Sequence, residues 1–227
     1  MIRALVVFTA LVGLSGPAGA EESRTVLFDG QTLEGWTGSP DVWSVQDGAI
    51  TGTVTDDRPL EHNTFLIWQG GEPANFQLRL KYKMVGNNSG IQYRSRVHDA
   101  ERFIVGGYQA DIDASLQFTG INYEERGRGI LAERGQSVTI RADGTKSIVQ
   151  FADAGELGKL VRKEDWNDYL VVAEGIRVQH FINGVLMSEV IDEQSDKAAT
   201  SGVIALQAHT GPAMVIQFKD IFLLENK

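Results

Sequence analysis

The 227-residue chain contains no cysteine. Disulfides are excluded, and with them the stapled scaffolds common among small exported domains. Lipid anchoring through a cysteine at a cleavage site is excluded too. The fold must rest on its core, and a chain of this length buries roughly 70% of its unfolded surface without staples. Basic residues are in short supply: 21 Lys and Arg stand against 30 Asp and Glu, a formal net charge of −9. Such a chain repels nucleic acid and anionic membranes, and it has no basic run that would gather phosphates. Aromatics make up 8% of residues, few for a surface built from stacking platforms. Apolar runs long enough to span a bilayer are missing. The leading one, Ala4 to Leu14, follows Arg3 and precedes Ala18-Gly19-Ala20. That is the pattern of a secretory signal peptide. The sequence predicts cleavage after Ala20, export to the periplasm or the medium, and one domain over residues 21–227. Nothing in it calls for an oligomer.

What the chain has in quantity is period-two alternation. In "NFQLRLKYKM", Phe76, Leu78, Leu80, Tyr82 and Met84 point one way and Gln77, Arg79, Lys81 and Lys83 the other. This is a strand packed on one face and wet on the other. A dozen similar segments follow one another from "TVLFD" to "AMVIQFKDIFLL". Asn183-Gly184 between two of them is a type I′ hairpin signal, and Asp47-Gly48 and Asp143-Gly144 read alike. One helix stands out, capped by Asp153 with Glu156 three residues on and an apolar stripe of Leu157, Leu160 and Val161. The expectation is an all-β, two-sheet antiparallel jelly-roll sandwich with one short helix.

Alternation also places polar side chains. In "NNSGIQYRSR" (87–96), Gln92, Arg94 and Arg96 share a face opposite Ile91, Tyr93 and Ser95. In "GYQADID" (107–113), Gln109, Asp111 and Asp113 share one. Gln207 and His209 do so near the end of "VIALQAH", and Gln217 and Lys219 in "VIQFKD". If these faces line one sheet, they make a sugar-sized groove with charged groups near strand ends. The bland reading stands beside it: Arg94 and Arg96 also suit a solvated face paired with Asp111 or Asp113. "DIDAS" starts like a calcium loop, but Leu116 stands where the loop needs Gly and Asn122 where it needs Glu. The four histidines show no zinc spacing. No cofactor is expected; a divalent metal on Asp111, Asp113 and His209 is allowed by residue type but not indicated.

An ordered set of segments, "LFDGQTLEGW" (27–36), "WSVQDGAITG" (43–52), "NSGIQYRS" (88–95), "GYQADID", "WNDYLVVAEG" (166–175), "INGV" (182–185) and "IALQAHTGPAMVIQFKDI" (204–221), resembles the 3-keto-disaccharide hydrolase family. The resemblance implies a concanavalin A-like jelly roll acting on sugars whose C3 hydroxyl is oxidised to a ketone. Many family members carry Glu-x-Gln after "GY"; the matching positions are Gln109 and Asp111. "YEERGRGILAE" (123–133) looks like a subfamily feature.

A C3 ketone acidifies the C2 proton. Its removal gives an enolate that expels the group on C1, and water then adds to the enone. This route needs one base, a donor for the enolate oxygen and an acid for the leaving oxygen. It does not need the two flanking carboxylates of ordinary glycosidases. The expected roles are Asp111 or His209 as base and Arg94 on the enolate oxygen. Tyr123, Glu124 or Glu133 is the acid or a clamp. Gln92, Gln109, Asp113, Gln207 and Lys219 hold the sugar. The alternatives are a non-catalytic, lectin-like carbohydrate-binding module and a structural envelope or adhesion protein. The module should rely on exposed aromatics, of which Trp68 is the best candidate; Trp36, Trp43 and Trp166 read as core.

Overall fold

A computed structural model describes residues 22–226. The leader reading, over residues 1–20, lies outside them. In chain order the strands are β1 (Glu22–Val26), β2 (Trp36–Thr37), β3 (Trp43–Gln46), β4 (Ala49–Val54), β5 (Thr64–Trp68), β6 (Phe76–Val85), β7 (Asn88–Asp99), β8 (Ile104–Asp113), β9 (Asn122–Glu125), β10 (Gly129–Ala132), β11 (Gln136–Ile140), β12 (Lys146–Gln150), β13 (Asn167–Glu174), β14 (Arg177–Ile182), β15 (Val185–Asp192), β16 (Val203–Ala208) and β17 (Met214–Asn226). One helix, α1, spans Ala154–Gly158. No helix among the described residues is long and apolar enough to cross a membrane.

The strands form two stacked sheets, the jelly roll expected. A ten-stranded sheet runs β12-β11-β15-β14-β13-β6-β17-β4-β3, with β1 also on β17. A seven-stranded sheet runs β10-β9-β8-β7-β16-β5-β2. Neighbours are antiparallel except β11 and β15. The β6 segment behaves as its pattern requires: Phe76 to Met84 are buried at every second position, with half-exposed polar residues between. Burying a side chain such as Leu78 contributes about 2 kcal/mol relative to leaving it in water. Asn183 and Gly184 both take positive φ (51° and 81°), as do Asp47 and Gly48 (51° and 73°), which a type I′ turn requires. Asp153 caps α1 by accepting from Glu156 N at 2.9 Å. The segment 123–133 forms the β9–β10 hairpin at one edge of the smaller sheet.

Polar contacts pin the two sheets together inside the core. Tyr93 of β7 lies 2.8 Å from His180 Nε2 of β14. His180 Nδ1 faces the Ile121 carbonyl at 3.1 Å. A carbonyl only accepts, so Nδ1 carries the proton and Nε2 accepts from the Tyr93 hydroxyl. Burial lowers His180 to about 3, so the ring is neutral.

Candidate active site on the seven-stranded sheet

A bulge in β7 shapes this sheet. Tyr93 pairs with Tyr108 and Arg96 with Gly106, so β7 spends one extra residue where β8 does not, and β16 sees the same irregularity. The extra residue lies at Arg94, whose φ is +46°. A bulge bends a strand and strengthens its twist. Here the β7–β8 hairpin reaches back across the sheet's outer face until Phe65 N of β5 donates to Phe103 O at 3.0 Å. Phe65, Ile67, Val105 and Ala205 are buried together on that face. It thus has a wall, and polar groups beside the wall are shielded from water.

The floor is a set of amides. Gln92, Gln109 and Gln207 are all buried. Gln109 Oε1 accepts from Gln92 Nε2 at 2.6 Å and from Gln207 Nε2 at 3.3 Å. Ser95 Oγ holds Gln92 Oε1 at 2.7 Å. Gly90 sits beneath Gln109; a Cβ there would come within 2.5 Å of its side-chain carbons. Gln207 Oε1 is buried without a hydrogen-bond partner. Gln109 Nε2 donates to no protein acceptor among the described residues.

Asp111, Tyr123, Glu125, His209, Asn63 and Asn88 surround this floor. Asp111 is 6% exposed and accepts from Asn88 Nδ2 at 2.8 Å. Burial pushes its carboxyl up to about 8; the Asn88 bond opposes this, and the charges of Asp113 and Glu125 add to it. Glu125 is raised by burial and drawn back by Asn63, His209 and Arg126. Asn63 reaches Glu125 Oε1 at 3.5 Å and accepts from Thr210 N at 2.9 Å, so it ties Glu125 to the turn beside His209. Tyr123 is raised by burial and by the charges of Glu125 and Asp111. His209 shares a recess of about 360 Å3 with Asn88 and Asp113.

Several expected site residues lie elsewhere. The bulge breaks the alternation after Tyr93, so Arg94 does not share the Gln92 face. Its buried guanidinium donates to Ala74 O at 2.8 Å and Gly175 O at 2.7 Å, in loops of the ten-stranded sheet. This does not place it to meet an enolate oxygen. Arg96 is exposed. Asp113 spends its carboxylate on the following loop, accepting from Ser115, Gln117 and Phe118 N–H groups. Glu124 points to the opposite side from Glu125 and accepts from Arg128 Nε at 2.6 Å, while Arg128 Nη2 meets Asp192 at 2.6 Å. Glu133 is exposed between β10 and β11. Lys219 belongs to the other sheet, 4.0 Å above the Trp166 ring. Trp166 is half-exposed rather than core, whereas Trp36 and Trp43 are buried. Trp68 is half-buried, pairs with Trp36 and packs against Gly70. Among the described residues no group of three or more His, Asp or Glu is placed to hold a metal ion.

Glu125, Asn63 and Asn88 are the site residues the sequence did not yield. The first had a signal: in "YEE", Tyr123 and Glu125 share a parity, and assigning β9 as a strand would have chosen Glu125 over Glu124. Asn63 had none, because the pairing of β5 with β16 is what brings it beside Thr210.

The fold has known counterparts. A protein from Parabacteroides distasonis, provisionally described as a glycosyl hydrolase, is 18% identical with a TM-score of 0.59, covering 90% of this chain and 94% of that one. The carbohydrate-binding module CBM66 from Bacillus subtilis is 14% identical with a TM-score of 0.53, covering 82% and 93%. A β-1,3-1,4-glucanase from a mouse hindgut metagenome is 11% identical with a TM-score of 0.50, covering 91% and 99%. Identities this low speak for the fold alone. No curated protein matches the chain. A family model matches residues 23–224, which takes in both sheets and the walled face, and the chain therefore belongs to the 3-keto-alpha-glucoside-1,2-lyase-like domain family.

Proposed function

We propose that the protein cleaves the glycosidic bond of 3-keto-glycosides by elimination and readdition of water, with Glu125 as base and Asp111 as acid. The observation that carries this is a pair of carboxyls on one walled face in different surroundings, Asp111 buried and Glu125 half-buried. Asp111, pushed up to about 8, keeps its proton at neutral pH. Burial raises Glu125 as well, but it is only half-buried and Asn63, His209 and Arg126 oppose the rise, which suits it to the base role. Carboxyls whose surroundings separate their proton affinities divide acid and base roles. Glu125 takes the C2 proton, and the electron pair moves toward the C3 oxygen. The C1–O bond then breaks, and the departing oxygen takes the Asp111 proton. Water adds at C1 of the enone, its proton returns to Asp111, and Glu125 returns its proton to C2. The open amide donor of Gln109 suits the C3 oxygen. Tyr123 suits a hydroxyl, and buried Gln207 helps to hold the Gln109 amide. The secretory-signal pattern read in residues 1–20 would put this action outside the cytoplasm.

The family match and the glycosyl hydrolase with the same fold support an enzyme acting on glycosides. The likeness to CBM66 supports a binding module, but here the walled face carries two carboxyls and three amides beside one half-buried aromatic ring, Tyr123. The test is release of a chromogenic leaving group from a 3-keto-glucoside. Folded protein that releases no more than buffer overturns the enzyme reading. Calorimetric binding of the unoxidised glucoside without turnover of the keto form favours the module.

A further inference from the structure

The outer face of the ten-stranded sheet, which faces away from the amide floor, carries a groove of about 860 Å3 that the proposed reaction does not use. Its centre is one row of side chains across four strands. Phe222 pairs with Arg79, Arg79 with Leu170, and Leu170 with Phe181. Directly paired residues of antiparallel strands point to the same side, so these four stand abreast. Adjacent strands step by ~4.8 Å, which puts Phe222 and Phe181 roughly 14 Å apart. A polar row, Gln77 and Gln179 with Val172 between them, lies on one side, and Lys81 beside Asp168 on the other.

The centre of the groove is unusual in what it leaves unpaired. Arg79 gives one Nη2 bond to Gln77 at 2.8 Å. It forms no ion pair among the described residues, and its Nε is buried without a partner. Asp168 and Glu174 line the same groove with carboxylates that accept no side-chain bond among the described residues. The core of a protein interface is depleted in Asp, Glu and Lys, and this groove is lined by Lys81, Asp168, Glu174 and Asp220. An anionic polymer is disfavoured by the net charge of −9. A neutral glycan meets each feature: ring C–H faces cover Phe181, Leu170 and Phe222, and hydroxyls both accept from Arg79 and donate to Asp168 and Glu174. The span favours several rings rather than one.

We infer that this groove is a second carbohydrate-binding surface, holding a neutral oligo- or polysaccharide across β17, β6, β13 and β14, apart from the cleavage site. The inference takes its ligand class from the carbohydrate reading above but does not depend on catalysis. Native affinity gels containing dextran, laminarin, lichenan or inulin test it. The wild-type chain is retarded in at least one gel. Phe181→Ala and Arg79→Ala each weaken that retention about tenfold, roughly the worth of losing a buried aromatic contact. Both keep wild-type turnover of a chromogenic 3-keto-glucoside, while Asp111→Asn keeps the retention. Absence of retardation in all four gels overturns the inference. Retention that survives both groove substitutions, with circular dichroism unchanged, does so too. Failure of turnover with retention intact would count against the catalytic proposal alone.

Discussion

Asn88 Nδ2 lies 2.8 Å from Asp111 Oδ1, across the pairing of β7 with β8. It gives this carboxyl its side-chain hydrogen bond among the described residues. One neutral donor does not offset burial beside two other carboxylates, and the group sits near 8 rather than near its ordinary value. Much of the site's expected behaviour follows from that.

If Asp111 donates the proton to the leaving oxygen, it must be protonated. Turnover of a 3-keto-glucoside should fall as pH rises through about 8. Asp111→Asn should lower kcat/KM by about 10^2–10^4, the usual worth of a positioned acid or base, with circular dichroism unchanged. A pH–rate profile of wild type and variant checks both. A loss below tenfold, or a high-pH limb that persists in the variant, removes Asp111 from the acid role.

The same group makes stability depend on pH. Its folded value lies above its unfolded one, so the native state holds a proton that the unfolded state has released. The contribution is full below about 4 and is lost as pH rises toward 8, at no more than about 1.4 kcal/mol per pH unit for one proton. Asp111→Asn should flatten this decline. Urea unfolding at several pH values across that window measures it, and parallel curves for the two proteins would contradict it.

Glu124 and Glu125 are neighbours in sequence with opposite duties. Glu125→Gln should abolish most turnover and leave the melting temperature nearly unchanged. Glu124→Gln should keep turnover and lower the melting temperature, because Arg128 loses a partner held at 2.6 Å. Kinetics and thermal melts on the two variants separate the faces. The reverse pattern would mean that β9 presents its other side to the substrate.

Arg94→Ala should unfold more readily rather than merely slow catalysis. Its buried guanidinium satisfies carbonyls of Ala74, Gly175 and Ala199. Each buried acceptor left unpaired costs about 1–3 kcal/mol. A loss of several kcal/mol by urea denaturation is expected, and Lys should not restore it, because it lacks the planar fork that reaches two loops at once. A stable Arg94→Ala protein with no turnover would return this residue to a catalytic role.

Segments whose form depends on near neighbours were legible in the sequence. The alternation of β6, the Asn183-Gly184 and Asp47-Gly48 turns and the Asp153 cap each appear as read, because strand pleat, turn dihedrals and a cap span only a few residues. The same rule misplaced Arg94. Period two holds only while neither strand inserts a residue, and one extra residue reverses the side of all that follows. Within the hairpin, Ser95 consequently joins the Gln92 face and holds that amide.

By itself the sequence determined a two-sheet β sandwich and a net charge of −9, and it put Gln92, Gln109, Asp111 and Gln207 on polar strand faces together with Arg94, His209 and Lys219. Only the tertiary structure decided that Lys219 stands on the other sheet, that Glu125 rather than Glu124 meets this face, and that Asn63 belongs to the site. Those facts depend on which strands become neighbours and on how far the β7–β8 hairpin bends. Both are set by contacts between residues distant in the chain, such as Phe65 with Phe103, and a local periodicity carries no record of them.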